Sequence, residues 1–519
     1  MSQSYYVTTP IYYVNDSPHI GHSYTTVAAD VLSRFFRAAG RNVRFLTGTD
    51  EHGIKIVKAA QEKGVTAREL ADSVVTHFQS LWTDLNISHD DFIRTSEARH
   101  EKRVQAIVSQ LLERDEIYLG GYQGWYDEGQ EEFVTESTAR ENEFKGAISG
   151  KALVRYSEPS YFFRLAKWVP KLLEYIEANP GFIAPSSRRN EVVSKLKQGV
   201  EDLSISRLAD KLGGWGVPMP NDPAHTVYVW VDALSNYITA TGWPAVGDEL
   251  DGKYKTFWPA DVHLIGKDIL WFHAVYWPCM LMALGQPLPK CVFAHGWWTS
   301  EGRKMSKSLG NFISREVIDE LCREYGRDAY RYFLLREVPF GTDGDFSRES
   351  FKSRYNSELA NGVGNLLSRT TNMISRYFDG VLPAAVAGDL EQPVIAAAAE
   401  LRDVAVPAME KCEFHTYLES IFRLVYVTNR YIDDTEPFKL AKDESQRERL
   451  GTILNTCAQA IRMVLEYLEP FMPDLAAKGL SWLGGTEAVT GNLLERTNWP
   501  ALAAGTRITK AEPLMPRKQ

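Results

Sequence analysis

Two short stretches hold residues whose types and spacing suit phosphate chemistry. His19-Ile20-Gly21-His22 sets two imidazoles three residues apart at the start of a helical stretch, where free backbone N–H groups and the helix dipole favour anions. Gly21 between them keeps that surface open to a ligand. Alone, such a pair reads as two surface histidines. Far downstream, Lys304-Met305-Ser306-Lys307-Ser308-Leu309-Gly310-Asn311 gathers two ammonium groups and two hydroxyls in a short loop that follows Gly302, a composition suited to holding pyrophosphate. The coincidence of both stretches argues against chance. Phosphoryl-type transfer demands positioning and charge neutralisation more than a covalent nucleophile.

The elements that position these stretches follow a repeating rhythm. Residues 5–9 read as a strand interrupted at Pro10, Ser17 as an N-cap with Pro18 as first helical residue, and His19 as part of the first helical turn. A second strand over 43–47 leads into Gly48-Thr49-Asp50-Glu51-His52-Gly53 and a helix over 54–63. Strand, helix, strand, helix implies α/β architecture with a doubly wound, Rossmann-like parallel sheet. It resumes at 262–265 and 291–294. The expected order is a first catalytic half over 1–112, an inserted connective subdomain over 113–223, a second catalytic half over 224–295, a loop and linking segment over 296–350, and an all-α helical bundle with a C-terminal tail over 351–519.

Composition sets outer bounds. A 519-residue chain with 44% hydrophobic residues holds about three domains, and its apolar runs break before the ~18 residues a membrane span needs. Five widely spaced cysteines without a CxxC pair predict free thiols in a reducing, cytoplasmic setting, with neither disulfides nor zinc. A formal charge of -9 excludes indiscriminate nucleic-acid binding, so RNA must meet a local basic face. Between Arg348 and Arg376 five basic residues (Arg348, Lys352, Arg354, Arg369, Arg376) outnumber two acidic ones (Glu349, Glu358).

The His-x-Gly-His stretch and the Lys-Met-Ser-Lys-Ser loop, in this order and setting, resemble the signatures of class I aminoacyl-tRNA synthetases. The local sequences 10–15, 228–234 and 265–273 are similar to methionyl-tRNA synthetases. The insertion reads as too short for a large editing domain, which disfavours the leucine, isoleucine and valine enzymes. The resemblance implies ATP-dependent formation of methionyl-adenylate from L-methionine and its transfer to the 3′ end of elongator and initiator methionine tRNA, with Mg²⁺. It assigns catalysis to His19, His22, Lys304 and Lys307, and ATP contacts to Tyr12, Gly21, His22, Gly266 and Lys307. It assigns the methionine site to Ile11, Tyr13, Asp50, Trp230, Ala233, Leu234, Tyr237, Ile269, Phe272, His273 and Trp277, with Asp50 holding the ammonium. Aromatic rings suit a polarizable thioether. Asn365 and Arg369, one helical turn apart, and Phe438, where many relatives carry tryptophan, are assigned to the anticodon. Relatives that bind zinc use CxxC pairs in the insertion; none occurs here, so no structural metal is expected. A monomer is expected, without membrane association. Two rival readings remain open from the residues alone: a metabolite nucleotidyltransferase, against which the second motif and the helical third argue, and an RNA-binding paralogue without chemistry, against which the intact histidines and lysines argue.

Overall fold

The computed structural model describes residues 3–129, 132–134, 136–147, 149–247, 252–305, 311–485 and 490–519. The chain divides into two compact units, one of residues 4–18 and 43–296, the other of residues 1–3, 19–42 and 297–519.

The first unit is built on a six-stranded sheet of β1 (Ser4–Tyr13), β2 (Asn42–Asp50), β3 (Asp91–Arg94), β4 (Ile183–Ala184), β5 (Val262–Gly266) and β6 (Val292–His295), in the order β3-β2-β1-β5-β6-β4. β1 runs parallel to β5, β5 to β6, β6 to β4 and β2 to β3. The order grows one way from β1, then resumes on its other side with β5, so the switch point of the winding lies between β1 and β5. Strands buried on both faces read as apolar runs, and Tyr6, Val7, Leu46, Leu264 and Ile265 are fully buried. Contrary to the sequence reading, Pro10 does not end the first strand: β1 continues to Tyr13. Proline's fixed φ suits an extended chain, and the register of β1 with β5 falls at Val7 and Thr8, before the missing N–H is felt.

The insertion carries its own antiparallel sheet, in which Ile117–Asp127 pairs along its length with Val154–Phe163. Its turn at Asp127 is held by carboxylate bonds: Asp127 Oδ1 accepts from the Gly129 N–H at 2.7 Å and the Ser149 hydroxyl at 2.8 Å. Among the described residues no group of three or more His, Cys, Asp or Glu side chains could hold a metal ion. The helices used below are α1 (Ile20–Ala38) and, within the first unit, α2 (Ile54–Lys63), α3 (Ala67–Asp84), α4 (Ala98–Glu113) and α5 (Val229–Thr239).

The second unit contains α1 and a largely helical C-terminal region that includes α6 (Asn365–Tyr377), α7 (Gln392–Glu410), α8 (Phe414–Thr435) and α9 (Arg447–Leu468). The apolar spacing along 414–432 and 454–468 buries Leu418, Ile421, Leu424, Ile461 and Val464, as a 3.6-residue period requires. α1 is anchored by a fully buried ion pair: Asp30 Oδ2 lies 2.7 Å from Arg331 Nη2, and the same guanidinium donates to the carbonyls of Pro470 and Phe471. None of the five cysteines is joined in a disulfide, and no described helix is long and apolar enough to cross a membrane.

Candidate active site

The phosphate motif is a helix start of unusual construction. The sequence reading placed Ser17 at the N-cap and His19 in the first turn; instead α1 begins at Ile20 and His19 is itself the N-cap. The imidazole takes the role because its Nδ1 accepts from the Gly21 N–H at 3.1 Å, while His22 Nδ1 accepts from the His19 N–H at 3.1 Å, a reciprocal capping box made of two histidines. Both Nδ1 atoms act as acceptors, so each neutral ring carries its proton on Nε2. Burial, followed by the neighbouring His19, pushes the His22 pKa well down, which keeps that ring neutral. Two N–H donors on rings 4.0 Å apart at a helix N-terminus form an anion-stabilising arrangement.

Gly21 suits this cap. A Cβ there would stand 2.9 Å from His19 Cε1 and 3.2 Å from its Nδ1, so a side chain at this position would crowd the capping ring.

The segment that follows the second motif lies next to the first. Ile20 N–H donates to the Ile313 carbonyl at 3.1 Å, His19 bridges to Ser314, and Phe312 meets the His19 ring edge-on at 5.1 Å. The chain is thus pinned to the histidine turn immediately after the Lys-Met-Ser-Lys-Ser loop. Lys304 lies on a short strand (Arg303–Lys304) paired with Trp298–Ser300. Residues 306–310, Lys307 among them, lie outside the described residues.

In the other unit the amino-acid candidates gather at the carboxyl ends of β1, β2 and β5 and on helices beside them, where open α/β sheets bind ligands. Ile11 and Tyr13 alternate on β1 and are half-buried, and Lys55 Nζ lies 4.9 Å over the Tyr13 ring. Tyr12 points the other way and stacks on Phe78 of α3 at 5.6 Å. Asp50 closes β2, 3% exposed, and Gly266 closes β5.

Trp230, Ala233, Leu234 and Tyr237 recur at helical spacing on one face of α5 and are all buried. Trp230 stacks on Phe272 at 3.8 Å and 4°. Phe272 and His273 lie in a π-helical turn over Phe272–Tyr276, and Ile269 ends the preceding 3₁₀ turn. His273 Nδ1–H donates to the Ile269 carbonyl at 2.9 Å, leaving Nε2 to accept the Tyr237 hydroxyl at 2.7 Å. Burial drives the His273 pKa down to about 4. The box is therefore uncharged near neutral pH, which disfavours charged amino-acid side chains and suits a thioether.

Trp277 is fully buried behind Tyr237; its Nε1–H donates to His263 Nε2 at 3.3 Å. His263, whose ring stacks on Tyr237 at 4.2 Å, was missed from sequence because a lone histidine in an apolar strand carries no local signal. The same holds for His52, His100 and Asp232, which meet in a buried cluster.

In the helical region, Asn365 and Arg369 begin α6, and Arg369 Nη2 donates to Asp433 Oδ1 of α8 at 2.8 Å. Phe438 is 48% exposed. The basic excess of 348–376 is in large part taken up within the fold: Arg348 pairs with Glu320 at 2.7 Å and Arg354 with Glu337 at 2.6 Å. A count along the chain does not see acids contributed from elsewhere.

Comparison with known proteins shows the family. The family model of class I tRNA synthetases (M) matches residues 5–143 and 139–371. The methionine–tRNA ligase of Caldanaerobacter subterraneus subsp. tengcongensis is 50% identical over 100% of this chain and 79% of its own length. That of Rickettsia felis is 46% identical over 100% of this chain and 99% of its own. The structure of Mycobacterium tuberculosis methionyl-tRNA synthetase in complex with methionyl-adenylate superimposes with a TM-score of 0.92 at 39% identity, covering 99% of this chain and 100% of that one. On the family model and these relatives, the chain belongs to the methionyl-tRNA synthetases of class I.

Proposed function

We infer that the chain is a methionine–tRNA ligase: it activates L-methionine with ATP and transfers the methionyl group to the 3′ end of elongator and initiator methionine tRNA. In the first step a methionine carboxylate oxygen attacks the α-phosphorus, the new O–P bond replaces the bond to the β-phosphate oxygen, and pyrophosphate leaves. In the second a terminal ribose hydroxyl attacks the activated carbonyl and AMP departs. The observation that carries the chemistry is the locked imidazole pair, which presents preorganised Nε2–H donors to charge that grows on phosphate oxygens.

We assign His19 and His22 to that stabilisation and Lys304 and Lys307 to the departing pyrophosphate. Gly21, Gly266 and Tyr12 line the nucleotide. Asp50 receives the substrate ammonium, while Ile11, Tyr13, Trp230, Ala233, Leu234, Tyr237, Ile269, Phe272, His273 and Trp277 form or back the side-chain box. Mg²⁺ enters as the counter-ion of the nucleotide, and no residue is assigned to it. Asn365, Arg369 and Phe438 read the anticodon, Arg369 by exchanging Asp433 for a base. Five cysteines outside any disulfide suit a reducing cytoplasm, and the chain acts as a monomer without structural zinc.

Pyrophosphate exchange run with each standard amino acid, with and without tRNA, tests the reading. Exchange that depends on methionine and needs no tRNA is expected; exchange driven by another amino acid, or by none, overturns it. Stoichiometric zinc lost together with activity on chelation overturns the metal assignment.

A further inference from the structure

Behind the proposed methionine site lies a buried cluster that the chemistry does not use. Asp232, 1% exposed, shares its two carboxylate oxygens between two histidines: His52 Nδ1 lies 2.7 Å from Oδ2 and His100 Nε2 lies 2.8 Å from Oδ1. An ionised carboxylate only accepts, so both ring nitrogens are N–H donors. The remaining nitrogen of His100 meets Thr239 Oγ1 at 2.7 Å, and His52 Nε2 stands 3.7 Å from Glu101.

Each member sits on a different element. His52 follows β2, two residues after Asp50; His100 is on α4; Asp232 and Thr239 are on α5. At 100° per residue, Asp232 and Thr239 share the α5 face roughly opposite Trp230, Ala233, Leu234 and Tyr237. One helix thus presents the apolar box on one side and grips the end of β2 with the other. The residue between Asp50 and His52 is clamped as well: Glu51 accepts from Arg94 Nε at 2.6 Å and from the Thr49 hydroxyl at 2.8 Å.

We propose that Asp232, acting through His52 and His100, is a positioning residue for methionine activation: it fixes the end of β2 against α5 so that one substrate meets the Asp50 carboxylate and the aromatic box together. The inference rests on the assignment of Asp50 and α5 to the methionine site. Burial opposes charge on both partners, yet the His52 charge and the two histidine hydrogen bonds hold the Asp232 pKa down to about 2, and Asp232 in turn raises that of His52. The link is a charge-assisted one, stiffer than neutral packing.

Asp232→Asn in the full-length chain keeps the shape and removes the charge. Methionine-dependent pyrophosphate exchange is expected to show a methionine KM raised by about tenfold or more with the ATP KM unchanged, since small misplacements of binding groups carry costs of that order. An unchanged methionine KM, or methionine and ATP constants that worsen in parallel as in general damage, overturns the proposal. Asp50→Asn serves as control: if it leaves the methionine KM unchanged, the site assignment itself falls, whereas a raised KM there beside a silent Asp232→Asn removes only the positioning role. Should Asp232→Asn fail to fold, Thr239→Val decides, because it spares the charge pair and loosens only His100. A rise in methionine KM alone supports the proposal and a parental value overturns it.

Discussion

Gly21→Ala separates the stability of the α1 start from its chemistry. In a helix a glycine-to-alanine change ordinarily stabilises by about 1 kcal/mol. Here the added Cβ would stand 2.9 Å from His19 Cε1, well inside the 3.4 Å of ordinary contact, so the imidazole must swing away by roughly half an ångström. That movement weakens the Nδ1 acceptor bond from the Gly21 N–H, a capping interaction typically worth ~1 kcal/mol. The two effects offset, and the melting temperature should stay close to that of the parent. Catalysis has no such compensation. Displacing one preorganised donor costs on the order of 2.7 to 4 kcal/mol in the transition state, or about 10²- to 10³-fold in kcat. The assay is methionine-dependent pyrophosphate exchange at saturating substrates, beside thermal unfolding. A Gly21→Ala protein with parental kcat would refute the reasoning, because the His19 donor would then be shown to tolerate misplacement.

Asp30→Ala strands Arg331 in the core and should lower stability in urea unfolding by about 3 to 5 kcal/mol, with partial recovery when Arg331→Met removes the orphaned charge; full stability in the single variant contradicts the role of the pair. His273 has a folded pKa of about 4 against 6.5 unfolded, so the unfolded chain binds the extra proton between those values. The part of the stability that this group carries should therefore be level above pH 6.5 and fall by about 3 kcal/mol towards pH 4, and a His273→Gln protein with an equally steep slope would remove this group as a cause. Asn365→Ala, Arg369→Ala and Phe438→Ala should each leave pyrophosphate exchange intact and lower charging of methionine tRNA, the last by about the 1 to 3 kcal/mol of a lost base stack; unimpaired charging by Arg369→Ala sinks the anticodon assignment.

The sequence by itself determined what local rules govern. Strand–helix alternation implied the doubly wound sheet, helical periodicity implied the bundle, and two short motifs with their neighbours pointed to the family. Each depends on residues close together in the chain, where backbone propensity and periodic burial act. Element boundaries were less secure, because Ser17 is an ordinary cap and His19 is not: only the folded turn shows that His22 completes the box from the other side. Tertiary structure alone decided the rest. It fixed the proton positions on His19 and His22 through the backbone N–H groups they accept from and on His273 through the Ile269 carbonyl, turned Tyr12 onto Phe78, and matched Arg348 and Arg354 with acids from other segments. It also joined His52, His100 and Asp232 across as many as 180 residues of chain. A hydrogen bond acts over about 3 Å in space, and the sequence carries no record of which distant side chains will come within that reach.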